Sequence, residues 1–195
     1  MVFMGRTSNS AFTLAELLIA LAILGVIATF TIPKILAGQQ SSQYNAIAKE
    51  DISAISAAFQ QAKMAGSVSS STTIGDLTQY LNYTSYVTSA TVDGINGSTS
   101  EACSGAAPCI FMHNGSSIRY NTYNFGGTDT TNALYVQMDP DGFYSRTTNG
   151  NGKAVGLWLY YDGRVADEGT ITAGTTNSHG SYTADATKNP AWFSW

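Results

Sequence analysis

Charge is scarce in this chain. Only 11% of its 195 residues are Asp, Glu, Lys or Arg, and 9 basic residues face 13 acidic ones. A nucleic-acid surface needs a basic stripe to neutralise phosphates, so no specific nucleic-acid partner is expected. Histidine is almost absent: His113 and His179 have no Cys or His partner at metal-ligand spacing. No G-x-S-x-G occurs among the many serines, and no set of nucleophile, base and acid can be read. Gly-rich pieces such as "GNG" lack the strand and helix context of a phosphate loop. The chain therefore reads as a non-enzyme, with no catalytic residue and no required cofactor.

Cysteine is down to two, Cys103 and Cys109, both inside "CSGAAPC". Gly105 and Pro108 can supply the bend that brings the two sulfurs together as a disulfide. That bond implies an oxidising compartment, the periplasm or exterior of a bacterial cell; two free thiols in a flexible loop is the other reading. The polarity of the chain comes from hydroxyls, amides and glycine, which suits a weakly charged exposed surface. Its length suits one domain with an appended element.

The one thing present in excess is an unbroken apolar run, "AFTLAELLIALAILGVIATFTIP". From Phe12 to Ile32 it covers 21 residues, close to the roughly 20 that cross a bilayer as a helix. Glu16 is its one ionisable residue, and a charge deep in lipid costs roughly 2.5–3.5 kcal/mol, which marks the acid as functional. The leader "MVFMGRTSNS" carries Arg6, the sign expected on the cytoplasmic side, with Lys34 opposing it beyond the run. An ordinary signal peptide cut near Ala37, a retained anchor, and a precursor trimmed just before the run each give a different mature N-terminus.

The run "FTLAELLIALAILGVIATFTIP" resembles the N-terminal segment of type IV prepilins and type II secretion pseudopilins. The resemblance implies a leader over residues 1–11, cut between Ala11 and Phe12 by prepilin peptidase, with methylation of the new Phe12 amine. Ala11 stands where the family usually has Gly, and is likewise small. Glu16 becomes the fifth mature residue, the family's filament-assembly acid, thought to pair with the amine of a neighbouring subunit. An unpaired acid at the headgroup boundary is the bland alternative. Gly25 and Pro33 match the family's helix-weakening positions, and Pro33 is expected to kink or locally melt the helix.

Beyond Pro33 the pattern becomes amphipathic. Ala48, Ile52, Ile55, Phe59 and Ala62 recur at spacings of four, three, four and three, on one helix face. With Gly66 as a stop, one helix of roughly 80 Å is expected from Phe12 to about Ala65. Residues 12–33 form its transmembrane or filament-core half and residues 34–66 its amphipathic half. Residues 67–195 form a globular domain. Within it "SVSSSTT" reads as a linker and "TIGDLTQYLNYT" as a short helix. The stretch "VTSATVDGINGSTSEACSGAAPC" reads as a loop. Three β segments follow, "CIFMHNGSSIRY", "ALYVQMD" and "VGLWLYYDGRVA", with turns at Asn114-Gly115 and Asp162-Gly163. The expected fold is α+β and pilin-like, with an antiparallel sheet of about four strands over the amphipathic half-helix. Trp192, Phe193 and Trp195 are expected to pack against the sheet, with a contact surface as the other reading. Asp139 and Asp141, in "DPDG", are candidate calcium ligands, with Asn149 and Asn151 as further donors, although a plain turn explains the same residues.

Taken with the resemblance, the expected role is structural. The subunit sits once through the bacterial inner membrane as a prepilin, in contact with lipid. It is then handed by an inner-membrane assembly platform into a homo- or hetero-oligomeric filament that is periplasmic or extracellular. Two alternatives stay open: a soluble exported protein released near Ala37, and a monomeric anchored binding domain. Pilus and secretion pseudopilus are not separated by the sequence.

Overall fold

The computed structural model describes residues 13–92, 101–142, 154–184, 189–190 and 193–194. By contacts the chain divides into two units, Met1–Gln40 and Ser41–Trp195. Helix α1 spans Leu14–Met64 with Pro33 inside it.

In the first unit the helix carries apolar residues on every side and buries none of them. In the second unit it becomes amphipathic, and Ala48, Ile52, Ile55, Phe59 and Ala62 are all buried. These are the five positions picked out by periodicity. Ala58 and Asp51 join them on the inner face. The helix ends where expected: Gly66 takes a left-handed φ of 71°, and Ser67 N–H donates to the carbonyl of Ala62 at 2.9 Å, the reach-back that closes a helix C-terminus.

A short helix α2 (Ile74–Leu77) follows, then a 3-10 turn over Thr78–Tyr80. Thr73 caps α2 through a reciprocal pair with Asp76, a capping box written in the sequence as T-I-G-D. The main sheet is antiparallel and six-stranded: β1 (Tyr83–Val87), β4 (Cys109–Met112), β5 (Ser117–Tyr120), β6 (Ala133–Asp139), β7 (Val155–Tyr160) and β8 (Val165–Asp167), in that spatial order. Two small ribbons lie outside it, β2 (Thr91–Val92) with β3 (Glu101–Ala102), and β9 (Thr176–Asn177) with β10 (Gly180–Ser181).

The α+β layout is as expected; the strand count is not. Both expected turns join neighbouring strands, β4 to β5 and β7 to β8, in antiparallel register. The expected count of about four strands falls short because β1 lies at the edge with its middle three residues exposed, so it has no apolar alternation to betray it. The stretch taken as loop also holds β2 and β3.

The sheet is covered on both faces. Ile118, Leu134, Val136, Leu157 and Leu159 share one core with Phe59 of the helix and with Phe125. On the other face Ala133, Trp158, Tyr160 and Ile171 form a second cluster. All six residues of β7 are buried, which explains its continuous apolar run where a half-exposed strand would alternate. Trp158 donates through Nε1 to Glu168 at 2.9 Å, which satisfies a buried indole.

Two turns meet on their backbones. Gly115 and Gly142 both have positive φ, 93° and 75°, and a Cβ on Gly142 would run into the carbonyl oxygen of Gly115. Gly142→Ala should therefore destabilise the fold by at least about 2 kcal/mol, from the left-handed backbone plus the collision. Chemical denaturation of the full chain in detergent, with unchanged slope and an earlier midpoint, is the check.

Candidate functional site: the N-terminal helix

Between Leu14 and Leu36 thirteen large apolar side chains stand in the open, from 53% exposed at Leu36 to 76% at Leu14 and Phe30. A soluble protein does not leave a contiguous apolar surface of this kind uncovered. The helix is long and apolar enough to cross a membrane and lies near the N-terminus, a test that a signal sequence also meets.

Glu16 sits at the start of this surface with partners of its own. Thr13 precedes the first helical residue and Glu16 is the third helical position. Glu16 Oε2 accepts from Thr13 N–H at 2.8 Å and from Thr13 Oγ1 at 2.8 Å. Glu16 N–H donates to Thr13 Oγ1 at 3.3 Å. This is a capping box, written in the sequence as T-L-A-E and masked there by the apolar residues around the acid. The carboxylate satisfies a helix-start amide within its own chain. It also lies near the positive end of the helix, where a negative charge is favoured.

Pro33 does not end the helix, so the local melting suggested by the sequence is absent from the described helix. Proline has no N–H, and the carbonyl of Thr29 loses its usual donor four residues on. One turn earlier, Thr29 Oγ1 donates to the carbonyls of Gly25 and Val26, both at 2.8 Å. A hydroxyl bonding back into the ladder in this way tends to bend a helix. Gly25, Thr29 and Pro33 thus place three helix-weakening features within nine residues of a helix that runs through them unbroken. The cut and methylation positions, Ala11 and Phe12, lie outside the described residues.

Residues 6–32 match the family described as the prokaryotic N-terminal methylation motif. The chain carries a prepilin-type signal. Ala11, Phe12, Glu16 and Gly25 fall inside the match and Pro33 one residue past it. No curated protein and no solved structure matches the chain.

Within that unit Cys103 and Cys109 are joined in a disulfide, with Cα atoms 5.5 Å apart. Both are buried, in a small cluster with Val92, so the bond fastens the β2–β3 ribbon to β4. Asp139 Oδ1 accepts from Asp141 N–H at 3.3 Å, and Gly142 N–H donates to the carbonyl of Asp139 at 3.3 Å, a β-turn. Calcium takes six to eight oxygens. Among the described residues no group of three or more His, Cys, Asp or Glu could hold a metal, and Asn149 and Asn151 lie outside them. His113 Nε2 is 3.1 Å from Asn82 Oδ1 and His179 stacks on Tyr123 at 4.3 Å; the two are engaged separately. Phe193 packs against the main core, while Trp192 and Trp195 lie outside the described residues.

Proposed function

We propose that the chain is a structural subunit of a helical filament of the type IV pilus or type II secretion pseudopilus kind. The observation that carries this reading is the conjunction of a prepilin-type signal over residues 6–32 with a helix half whose large apolar side chains stand exposed among the described residues. Prepilin peptidase removes residues 1–11, and the amine of Phe12 is methylated. The apolar half is held by lipid in the inner membrane until the assembly platform transfers it among the same halves of other subunits, where side chain meets side chain in place of lipid.

In that setting Glu16 is taken out of reach of water. A lone buried carboxylate is costly, and a paired one with satisfied hydrogen bonds is tolerated. The Phe12 amine of a neighbouring subunit supplies the pair, while Thr13 keeps its hold on the same carboxylate. Each subunit presents the next with the same unpaired surface it has just covered, so the interface is head-to-tail and growth stays open.

The reading is tested by shearing cells that express the chain and probing the filament fraction with antibody to the globular unit. Labelled filaments along their length support a repeating subunit. Chain recovered wholly in soluble form and starting near Gly38 would favour export by ordinary signal peptidase. Chain recovered wholly in membranes without filaments would favour a monomeric anchor.

A further inference from the structure

Asp51 lies on the buried face of α1, among alanine and isoleucine, with no exposed surface. Its partners come from the turn between β4 and β5. Asn114 Nδ2 donates to Asp51 Oδ1 at 2.9 Å and to Glu50 Oε2 at 3.2 Å. Ser116 Oγ lies 2.6 Å from Asp51 Oδ2 and 2.8 Å from Asn114 Oδ1. The orientation of the Asn114 amide is fixed, because Ser116 N–H donates to its Oδ1 at 3.1 Å.

This arrangement contains a proton count. Ser116 Oγ has one hydrogen and sits between two oxygens at hydrogen-bond distance. With Asp51 ionised, both neighbours are acceptors, and one of the two short contacts has no proton in it. With Asp51 neutral the ring closes. Asp51 Oδ2–H donates to Ser116 Oγ, Ser116 Oγ–H donates to Asn114 Oδ1, and Asn114 Nδ2 returns one hydrogen to Asp51 Oδ1 and gives the other to Glu50. Every polar atom in the ring then has a use, and no net charge is buried.

We propose that Asp51 is a proton-operated latch: as the neutral acid it fastens the amphipathic helix to the β4–β5 turn, and loss of its proton loosens that joint. Of the surrounding charges, that of Glu50 opposes ionisation. On α1 the neighbours are Lys49 and Glu50, and the Glu50 charge repels a second negative charge. On the turn, His113 is turned to Asn82. At the end of β6 stand Asp139 and Asp141, the latter with Tyr44 Oη 3.5 Å from its carboxylate. Burial is the largest influence on Asp51. Against the smaller opposing effect of Ser116 and Asn114, it lifts the carboxyl from 3.8 to about 6.

The sign follows from proton linkage. Between the ordinary aspartate value and about 6 the folded chain holds a proton that the unfolded chain has released. Stability from this group therefore falls as pH rises through that window and is level above it. A subunit exposed to the outside would be tightest in acid.

The test uses the full chain in detergent micelles, with the side-chain carboxyl carbon of Asp51 followed by NMR and assigned through its own backbone, so that the wild-type chain suffices. A titration midpoint near 6 is expected; a midpoint at or below about 4, the ordinary range, overturns the proposal. A second reading compares melting temperatures of wild type and Asp51→Asn, which keeps an N–H where the acid has its O–H. The wild type should lose roughly 4–8 °C relative to the variant between pH 4.5 and pH 7. A difference that stays constant across that range also overturns it.

Discussion

Glu16→Ala should lower the amount of chain recovered in sheared filaments by about a hundredfold or more, with the amount in the membrane unchanged. Removing one member of a buried ion pair leaves the other charged and unpaired, which costs about 3–5 kcal/mol, and each 1.4 kcal/mol is tenfold in an equilibrium constant. The alanine variant also loses the capping box with Thr13, so a second substitution separates the two effects. Glu16→Gln keeps a side chain that can cap at this position but removes the charge. If pairing with a neighbour's amine is what matters, the glutamine variant is absent from filaments like the alanine variant. If the acid serves only to start the helix, the glutamine variant assembles as wild type does.

The second large effect belongs to the globular unit. Phe59 is fully buried and meets Phe125 edge-on, with ring centroids 6.0 Å apart. The turn at Gly163 lies on the Phe59 ring so closely that a Cβ there would come within 3.3 Å of it. One side chain therefore holds the helix to Phe125, in the connection between β5 and β6, and to the β7–β8 hairpin turn. Phe59→Ala should cost about 3–5 kcal/mol, or roughly 10 °C in melting temperature for a chain of this size. Lys49→Ala, nearly three helix turns away on the exposed side, should stay within about 0.5 kcal/mol. Equal melting temperatures for the two variants would mean that the inner face of the helix does not carry the fold.

Much of this architecture is legible in the sequence because the relevant residues obey a single rule each. Ala48 to Ala62 repeat at the helical period, and the Asn114-Gly115 and Asp162-Gly163 turns mark where strands reverse. Strand β1 is hidden because its exposed Thr84, Ser85 and Tyr86 carry no buried face. Residue Asp51 is hidden for the opposite reason. A charged residue beside Glu50 on an amphipathic helix reads as solvated surface, and only the fold reveals that Asn114 and Ser116, more than sixty residues on, come to meet it. Thr13 is half of a T-x-x-E pattern, but the apolar context of Glu16 points to a partner in another molecule and obscures the one three residues away. The two partners are compatible, since a carboxylate has lone pairs for both.

The proposed filament role requires that the leader be removed and the new terminus be free to meet Glu16. The most direct measurement is mass spectrometry of the N-terminal peptide from chain isolated from its native cell. The account predicts a peptide beginning at methylated Phe12. A peptide beginning at Met1, or at Gly38, would contradict it.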